Sequence, residues 1–290
     1  MYTGEMKELE IWKANLPGYK LLDSGDKKKL EEVAGVRMVR SEPRAWWSPK
    51  LSKAEWDKVE ALFEKEKGTW SFKKEIPQDL SIKFEELTFK LKFPPTSKHF
   101  GLFPEQVSQW QFIKEKLRGH EGAKVLSLFG YTGASSLVAA ANGAQVTHID
   151  GSRAVIGWAR ENQEASGLSE KPIRWILDDA VDFVKREVKR GSKYDAIIMD
   201  PPSFGRGPQG QVWKVEEDLV PFLKEIQKIL IDKPLFIILN MYSTELSAIT
   251  LKNLLEDLSL GDGKVTAGEL AIGEEGSGRL LPLSIFANWG

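Results

Sequence analysis

Between residues 104 and 240 the chain alternates helical stretches with short, unbroken apolar runs, and the runs stop at acidic residues, an amide or a glycine turn. The runs at 124–128, 146–149, 173–177, 194–199 and 235–239 read as strands, and the stretches at 104–118, 134–142, 153–166, 181–189 and 219–230 read as helices. Strands with no polar face border water on neither side, which predicts a mostly parallel sheet covered by helices on both faces. In such sheets ligands sit beyond the carboxyl ends of the strands. The candidate site is therefore whatever stands at those ends: a glycine turn after the first strand, Asp150 after the second, Asp178 and Asp179 after the third, Asp200 after the fourth and Asn240 after the fifth.

The stretch from about 15 to 93 has a different texture, with short β-prone runs and turns. Residues 18–25 and 36–40 read as strands, and 82–93 as one or two more. A helix is expected from 52 to about 67, with Ser52 as N-cap and Glu55 at the capping-box position. Pro94-Pro95-Thr96-Ser97 marks a boundary. The expectation is a small β-rich α+β module at 1–95 followed by an α/β domain at 96–290. Trp46, Trp47, Trp56 and Trp70 either fill the small core of that module or offer faces to bases.

Composition narrows the chemistry. The 290 residues include no cysteine, so disulfides, zinc thiolates and cysteine nucleophiles are excluded. His99, His120 and His148 are the three histidines and are scattered, so no metal site is expected. His120 and His148 read as structural or exposed, whereas His99 either contacts a ligand or is packed and hydrogen-bonded. No apolar run reaches membrane-span length, and the first residues lack the apolar stretch of a signal peptide, so a cytoplasmic protein is expected. Net charge is −1, which argues against gripping nucleic acid by bulk electrostatics. Residues 1–120 nevertheless carry 23 Lys and Arg against 19 Asp and Glu, while residues 121–290 carry 18 against 23. The basic front half either helps to hold a polyanion or is solvated surface.

Phe129-Gly130-Tyr131-Thr132-Gly133-Ala134-Ser135 takes the first strand through a tight turn into a helix of small residues. Glycine allows the backbone to turn sharply and to approach a ligand closely, and the helix start presents free N–H groups. Asp150, twenty residues after Gly130, stands where an acid accepts hydrogen bonds from two ribose hydroxyls. Asp178 or Asp179, before Ala180, can accept from an adenine amino group. A nicotinamide-dependent oxidoreductase would need a third glycine in G-x-G-x-x-G to seat pyrophosphate, and the turn lacks it. Read alone, the turn is also common structural punctuation and each acid a helix cap.

Asp200-Pro201-Pro202-Ser203-Phe204 leaves the fourth strand as a segment stiffened by two prolines, which holds Asp200 at the ligand edge of the sheet. Phe204 offers a stacking face for a base, or is a buried packing residue. The following Gly205-Arg206-Gly207-Pro208-Gln209-Gly210 reads as a flexible polar loop, with Arg206 either touching phosphate or lying on the surface.

Together these segments resemble the bacterial class I S-adenosylmethionine-dependent methyltransferases related to the enzymes that modify large-subunit ribosomal RNA at cytosine-C5 or guanine-N7. The resemblance covers about 97 to 243 and rests on 97–106 (SKHFGLFPEQ), the 128–135 turn, Ile149-Asp150-Gly151-Ser152, Trp158-Ala159-Arg160-Glu161-Asn162, Asp178-Asp179-Ala180 and Asp200 to Phe204. It implies a Rossmann-like α/β fold with a mostly parallel seven-stranded sheet, and S-adenosyl-L-methionine as cofactor. By the resemblance Asp150 binds the ribose and Asp179, or Asp178, the adenine. Gly130, Tyr131, Thr132 and Gly133 line the methionine end. Phe129, Ala134, Ser135, Gly151, Ser152, Ala180 and Asp200 complete the cofactor site, and 99–106, with His99, Phe103, Glu105 and Gln106, closes over it. Asp200, Pro201, Pro202 and Phe204 become the catalytic candidates, and Phe204, Arg206 and Tyr242 the substrate-binding ones. Cytosine-C5 transfer in that group uses a cysteine thiolate, which this chain cannot supply. Direct displacement at a nitrogen remains, and it needs alignment more than acid–base help. Because Ser203 separates the prolines from the aromatic residue, a ring nitrogen fits the pattern better than an exocyclic amine. The acceptor expected is RNA, with a protein or small molecule, or a non-catalytic adenosyl- or RNA-binding scaffold, as alternatives. A homodimer is compatible with all of these.

Overall fold

In the computed structural model, which describes residues 9–242 and 245–290, the chain opens on a strand of the large sheet, β1 (Glu10–Ala14). Residues 1–8 of the expected front module and Ser243, at the end of the stretch of resemblance, lie outside the described residues. The chain then builds β2 (Tyr19–Gly25), β3 (Lys28–Val33), β4 (Val36–Ser41), a one-turn helix α1 (Lys53–Trp56), β5 (Ala61–Glu64) and β6 (Thr69–Phe72), with β7 (Ser81–Phe84) and β8 (Leu87–Lys90) as a separate hairpin. Strands β2 to β6 form one sheet in chain order.

A 3-10 turn at Pro104–Gln106 runs into α2 (Val107–Leu117). Strand and helix then alternate: β9 (Lys124–Leu128), α3 (Ala134–Ala141), β10 (Gln145–Asp150), α4 (Arg153–Ala165), β11 (Ile173–Leu177), α5 (Ala180–Arg190) and β12 (Ala196–Met199). The hairpin β13 (Phe204–Arg206) and β14 (Val212–Lys214) follows, then α6 (Val215–Lys228), β15 (Phe236–Met241), α7 (Ala248–Glu256), β16 (Val265–Gly273) and β17 (Leu280–Trp289). The large sheet has the order β1-β16-β17-β15-β12-β9-β10-β11, parallel throughout except for β17, which runs against both neighbours. It holds the seven strands expected and an eighth, β1. The order in which strands are added reverses between β9 and β12, with β10 and β11 to one side and β12 and β15 to the other, the point at which a crevice opens in sheets of this kind.

The apolar runs explain the layers. Every residue of β12 and β15 is buried, so both faces of the sheet are covered. One face packs on α5, α6 and α7, through Phe183, Phe222 and Leu251 among others. On the other, a single apolar cluster runs from Trp110, Leu137 and Val125 into Leu21, Met38 and Phe89 of the front strands, so the front segment shares a core with the domain behind it.

Two expectations are corrected. The helix expected from 52 to 67 stops at Trp56: Ser52 caps it, but Ala61–Glu64 pairs with β4 and β6 as a strand. The charge spacing that imitates a longer helix is real, since Lys58–Glu55 and Lys67–Glu64 pair three residues apart, but strand pairing overrides it. The polar stretch 205–210 is not a free loop but the arms and tip of the β13–β14 hairpin, with Gly207 N donating to Gln211 O at 2.9 Å. Of the readings left open, His148 is fully buried and so structural, and Trp46 is exposed and so does not fill the core.

Candidate active site

A cavity of about 560 Å³ opens beyond the carboxyl ends of β9 to β12, with a smaller pocket of about 40 Å³ against the glycine turn. The larger volume is in the usual range for a small-molecule site.

The turn is built on strain and close packing. Phe129 and Tyr131 have φ of +55° and +51°, and Gly133 has φ of +86°. The left-handed region is unfavourable for the two aromatic residues, so the fold must impose it. Tyr131 N donates to Asp150 Oδ2 at 3.0 Å and Gly130 N to Ile149 O at 3.1 Å. Gly130 itself is required by space: a Cβ there would lie 2.3 Å from the ring of His148, which shares a 2.8 Å hydrogen bond with Ser136 Oγ beneath the turn. Burial holds His148 down to about 3, so it is neutral packing.

Asp150 and Asp179 are acids already held in place. Asp150 Oδ1 accepts from Ser152 N at 2.8 Å while Oδ2 accepts from Tyr131 N, and burial pushes its carboxyl up against those donors. Asp179 Oδ1 caps α5 through Asp182 N at 3.0 Å. Its Oδ2 lies under the hairpin, where a Cβ on Gly207 would come within 2.8 Å of it. Asp178 is instead ion-paired with Arg186 and bonded to the backbone of Asp179.

Asp200 is different. Gln106 Nε2 donates to its Oδ2 at 3.1 Å, but Oδ1 is buried with no partner. Burial, reinforced by the neighbouring Glu105, pushes its carboxyl up to about 8. Glu105 is raised too, first by its own burial, and bonds the hydroxyl of Tyr242, which Gln106 Nε2 also reaches at 3.1 Å. A chain of buried amides orients Gln106. Asn288 Nδ2 donates to Gln109 Oε1 at 2.7 Å, Gln109 Nε2 to Asn240 Oδ1 at 2.9 Å, and Asn240 Nδ2 to Gln106 Oε1 at 2.9 Å. Gln109 Nε2 also donates back to Asn288 Oδ1 at 3.2 Å, and in this arrangement the NH₂ of Gln106 faces Asp200. With Oδ2 accepting from Gln106, the buried and unpartnered Oδ1 is the oxygen left to carry a proton.

The remaining wall comes from the front strands and was not singled out in the sequence: Lys29, Arg40, Glu42, Pro43 and Arg44, joined by Lys98. Arg40 makes a two-point pair with Glu31, which also accepts from Tyr19 at 2.8 Å. Against the effect of burial, Arg40 and Lys29 hold Glu31 down to about 2. Arg44 Nη2 donates to Tyr242 O at 2.9 Å, tying this wall to the Asp200 end. Burial pushes the Lys98 ammonium down to about 8 and holds His99 well below its ordinary value. The basic surplus of residues 1–120 was the one trace of this wall in the sequence.

Most sequence candidates converge here. Phe129, Tyr131, Asp150, Gly151, Ser152, Asp178, Asp179 and Ala180 line the large cavity, as do His99, Phe103, Glu105, Asp200, Pro201, Pro202, Arg206 and Tyr242. Gly130, Thr132, Ala134, Ser135 and Gln106 line the smaller pocket. Gly133 lines neither and packs on Trp175. Phe204 lines neither, and its ring is 56% exposed. Trp213, on β14, was missed. It is buried against Phe129 and Phe222, and its Nε1 donates to Pro202 O at 2.7 Å, which bolts the hairpin to the Asp-Pro-Pro segment.

Residues 73–251 match the family model for S-adenosylmethionine-dependent methyltransferases. The chain belongs to that family. It is 40% identical to a SAM-dependent methyltransferase from Agrobacterium tumefaciens, with a TM-score of 0.91 over 97% of this chain and 93% of that one. The structure of SMU.776 complexed with SAH shares the fold, with a TM-score of 0.71 at 20% identity over 95% of this chain and 76% of that one. The ribosomal RNA large subunit methyltransferase K/L of Shewanella frigidimarina is 32% identical over 170 residues, 58% of this chain. The chain spans only about a quarter of that curated relative's length, 23%. This methyltransferase has no helix, among its described residues, long and apolar enough to cross a membrane, and no cluster of three or more His, Cys, Asp or Glu that would hold a metal.

Proposed function

We propose that this methyltransferase transfers a methyl group from S-adenosyl-L-methionine to a ring nitrogen of an RNA base by direct displacement, without a covalent enzyme intermediate. The observation that carries the mechanism is Asp200: an acid at the Asp-Pro-Pro turn, lining the cavity, with one oxygen bonded to Gln106 and the other buried without a partner. The likeness to the ribosomal RNA methyltransferase supports RNA as the acceptor class.

The residues present fit the cofactor. Asp150 keeps lone pairs for two ribose hydroxyls, and Asp179 Oδ2, roofed by Gly207, suits the adenine amino group. The strained turn and the small pocket against it suit the methionine end, with Phe103 and His99 closing over from the other side. When bound, the cofactor supplies an electrophilic methyl on a positively charged sulfur. The chain's own contribution is alignment and exclusion of water. A ring nitrogen attacks with a lone pair and releases no proton, so it does not require a carboxylate. With its carboxyl raised to about 8, Asp200 holds its proton at neutral pH and donates from Oδ1 to an acceptor atom of the base, fixing the nitrogen in line. The front strands 19–72 close the acceptor side and the strands from 124 onward hold the cofactor, a division of labour consistent with modules meeting near residue 95.

Methyl-labelled cofactor offered with total RNA, protein and small-molecule extracts tests the reading. Label in RNA, recovered as an N-methylated base, is expected. Label confined to protein or metabolites removes RNA as the acceptor, and a C-methylated base removes direct displacement at nitrogen.

A further inference from the structure

We propose that the mouth of the cavity is a two-sided platform for single-stranded RNA, on which Trp46 with Lys27 and Phe204 with Arg206 hold the nucleotides flanking the methylated one. The proposal rests on the RNA reading above.

On the front wall, Trp46 is 78% exposed, with the Lys27 ammonium 5.0 Å from the centre of its ring. The placement is rigid. Lys27 N donates to Ala45 O at 2.7 Å, Asp26 N to Trp47 O at 2.8 Å and Glu42 N to Lys27 O at 2.8 Å, which stitches the strap at 42–47 to the turn between β2 and β3. Two residues to one side the strap becomes cavity wall at Arg44, and two residues beyond Lys27 the turn becomes cavity wall at Lys29. Lys27 and Lys28 are exposed and, among the described residues, pair with no carboxylate.

The hairpin wall repeats the chemistry. Phe204 and Arg206 project from the solvent face of β13, and Arg206 also lines the cavity. Arg206 has no carboxylate partner among the described residues. The opposite face of the hairpin is anchored by buried Trp213, so Phe204 is displayed rather than left over from packing.

Among the described residues neither ring packs on another aromatic: Trp46 has Lys27 over its face, and Phe204 shares the solvent face of its hairpin with Arg206 and the exposed Val212, at the edge of a cavity sized for a nucleoside. A protein partner would favour a continuous apolar patch. Isolated rings beside unpaired cations match the alternation of base and phosphate along a single strand. They also reconcile an RNA substrate with a net charge of −1, because the cations are placed where the strand passes instead of being spread over the surface.

Fluorescence anisotropy with a short labelled single-stranded RNA of mixed sequence tests the platform. Trp46→Ala and Phe204→Ala are each expected to weaken binding about tenfold. Trp46→Phe keeps most of the affinity, and Lys27→Ala lowers the slope of log affinity against log salt by about 0.7. Trp46 and Lys27 are exposed, so their variants fold, and calorimetry should find their cofactor affinity unchanged. If wild type methylates RNA while Trp46→Ala and Phe204→Ala bind it as wild type does, the platform is wrong and the RNA reading stands. If wild type labels protein or metabolites and not RNA, the RNA reading falls and the platform falls with it.

Discussion

The two ends of the cavity use the same residue type in opposite ways. At the end proposed for the cofactor, both oxygens of Asp150 accept backbone N–H groups, and Asp179 caps a helix with one oxygen. At the end proposed for the acceptor, Asp200 has one oxygen tied through an amide chain and the other buried without a partner. Acids that the backbone grips are suited to holding a ligand whose shape never varies. An acid left half-satisfied in a buried place is unfavourable for the resting protein, and that cost is recovered only when a substrate arrives.

The contrast can be broken at its strongest point. Asp200→Ala should lower kcat by about 10² to 10³ while leaving the cofactor Kd within a few-fold, read by single-turnover transfer and calorimetry. Asp200→Asn should retain much of the lost activity, because its amide N–H replaces the acid proton toward the cavity. An asparagine variant as inactive as the alanine one would show that a carboxylate is required. Asp150→Ala should do the reverse, weakening cofactor binding by about 10- to 100-fold with little change in kcat at saturation. Should kcat collapse instead, the two ends would not be functionally separate. Gln109→Leu, three hydrogen bonds from the cavity, should lower kcat about tenfold and add little in an Asp200→Asn background, where a double-mutant cycle reads the coupling. Simple additivity would mean that the amide chain only packs.

The mildest expected effect is on pH. Asp200 is protonated below about 8, so transfer to a ring nitrogen should fall as pH rises through that value. Removing the adjacent negative charge with Glu105→Gln should move the limb to lower pH. A rate that climbs with pH would indicate that the acceptor nitrogen surrenders a proton to Asp200, as an amine would.

Legibility follows the same division. Asp150, Asp179 and Asp200 were visible because each stands just past an apolar run, where a parallel sheet gathers its ligand-facing residues, although Asp179 also caps α5. The glycine turn was visible, though for a partly different reason: Gly130 yields to His148, and the left-handed conformations fall on Phe129 and Tyr131. The amide chain was invisible. Gln109, Asn240 and Asn288 come from α2, β15 and β17, and nothing local says that three ordinary amides will meet. Lys29 was hidden likewise, because β3 carries a run of lysines and glutamates that does not resemble a strand until β2 and β4 flank it, and although 36–40 read as a strand nothing local brings Arg40 or Arg44 to the cavity. Phe204 was recognised as an aromatic of interest but assigned to the cavity, since sequence does not say which face of a hairpin looks inward.

Strand β1 has a mechanical consequence. It docks along the outermost strand of the large sheet, where Glu10 O lies so close to Gly268 that a Cβ there would meet it at 1.8 Å. The chain leaves from this clamp, builds the strands that carry Lys29, Arg40 and Arg44, and rejoins the same body at α2. The front strands are therefore slung between two fixed pivots, like a bucket handle, and not trailed on a leash. Such a part resists swinging out sideways, and cutting it away would also strip a margin of the sheet and bare a backbone ready to zip onto another copy.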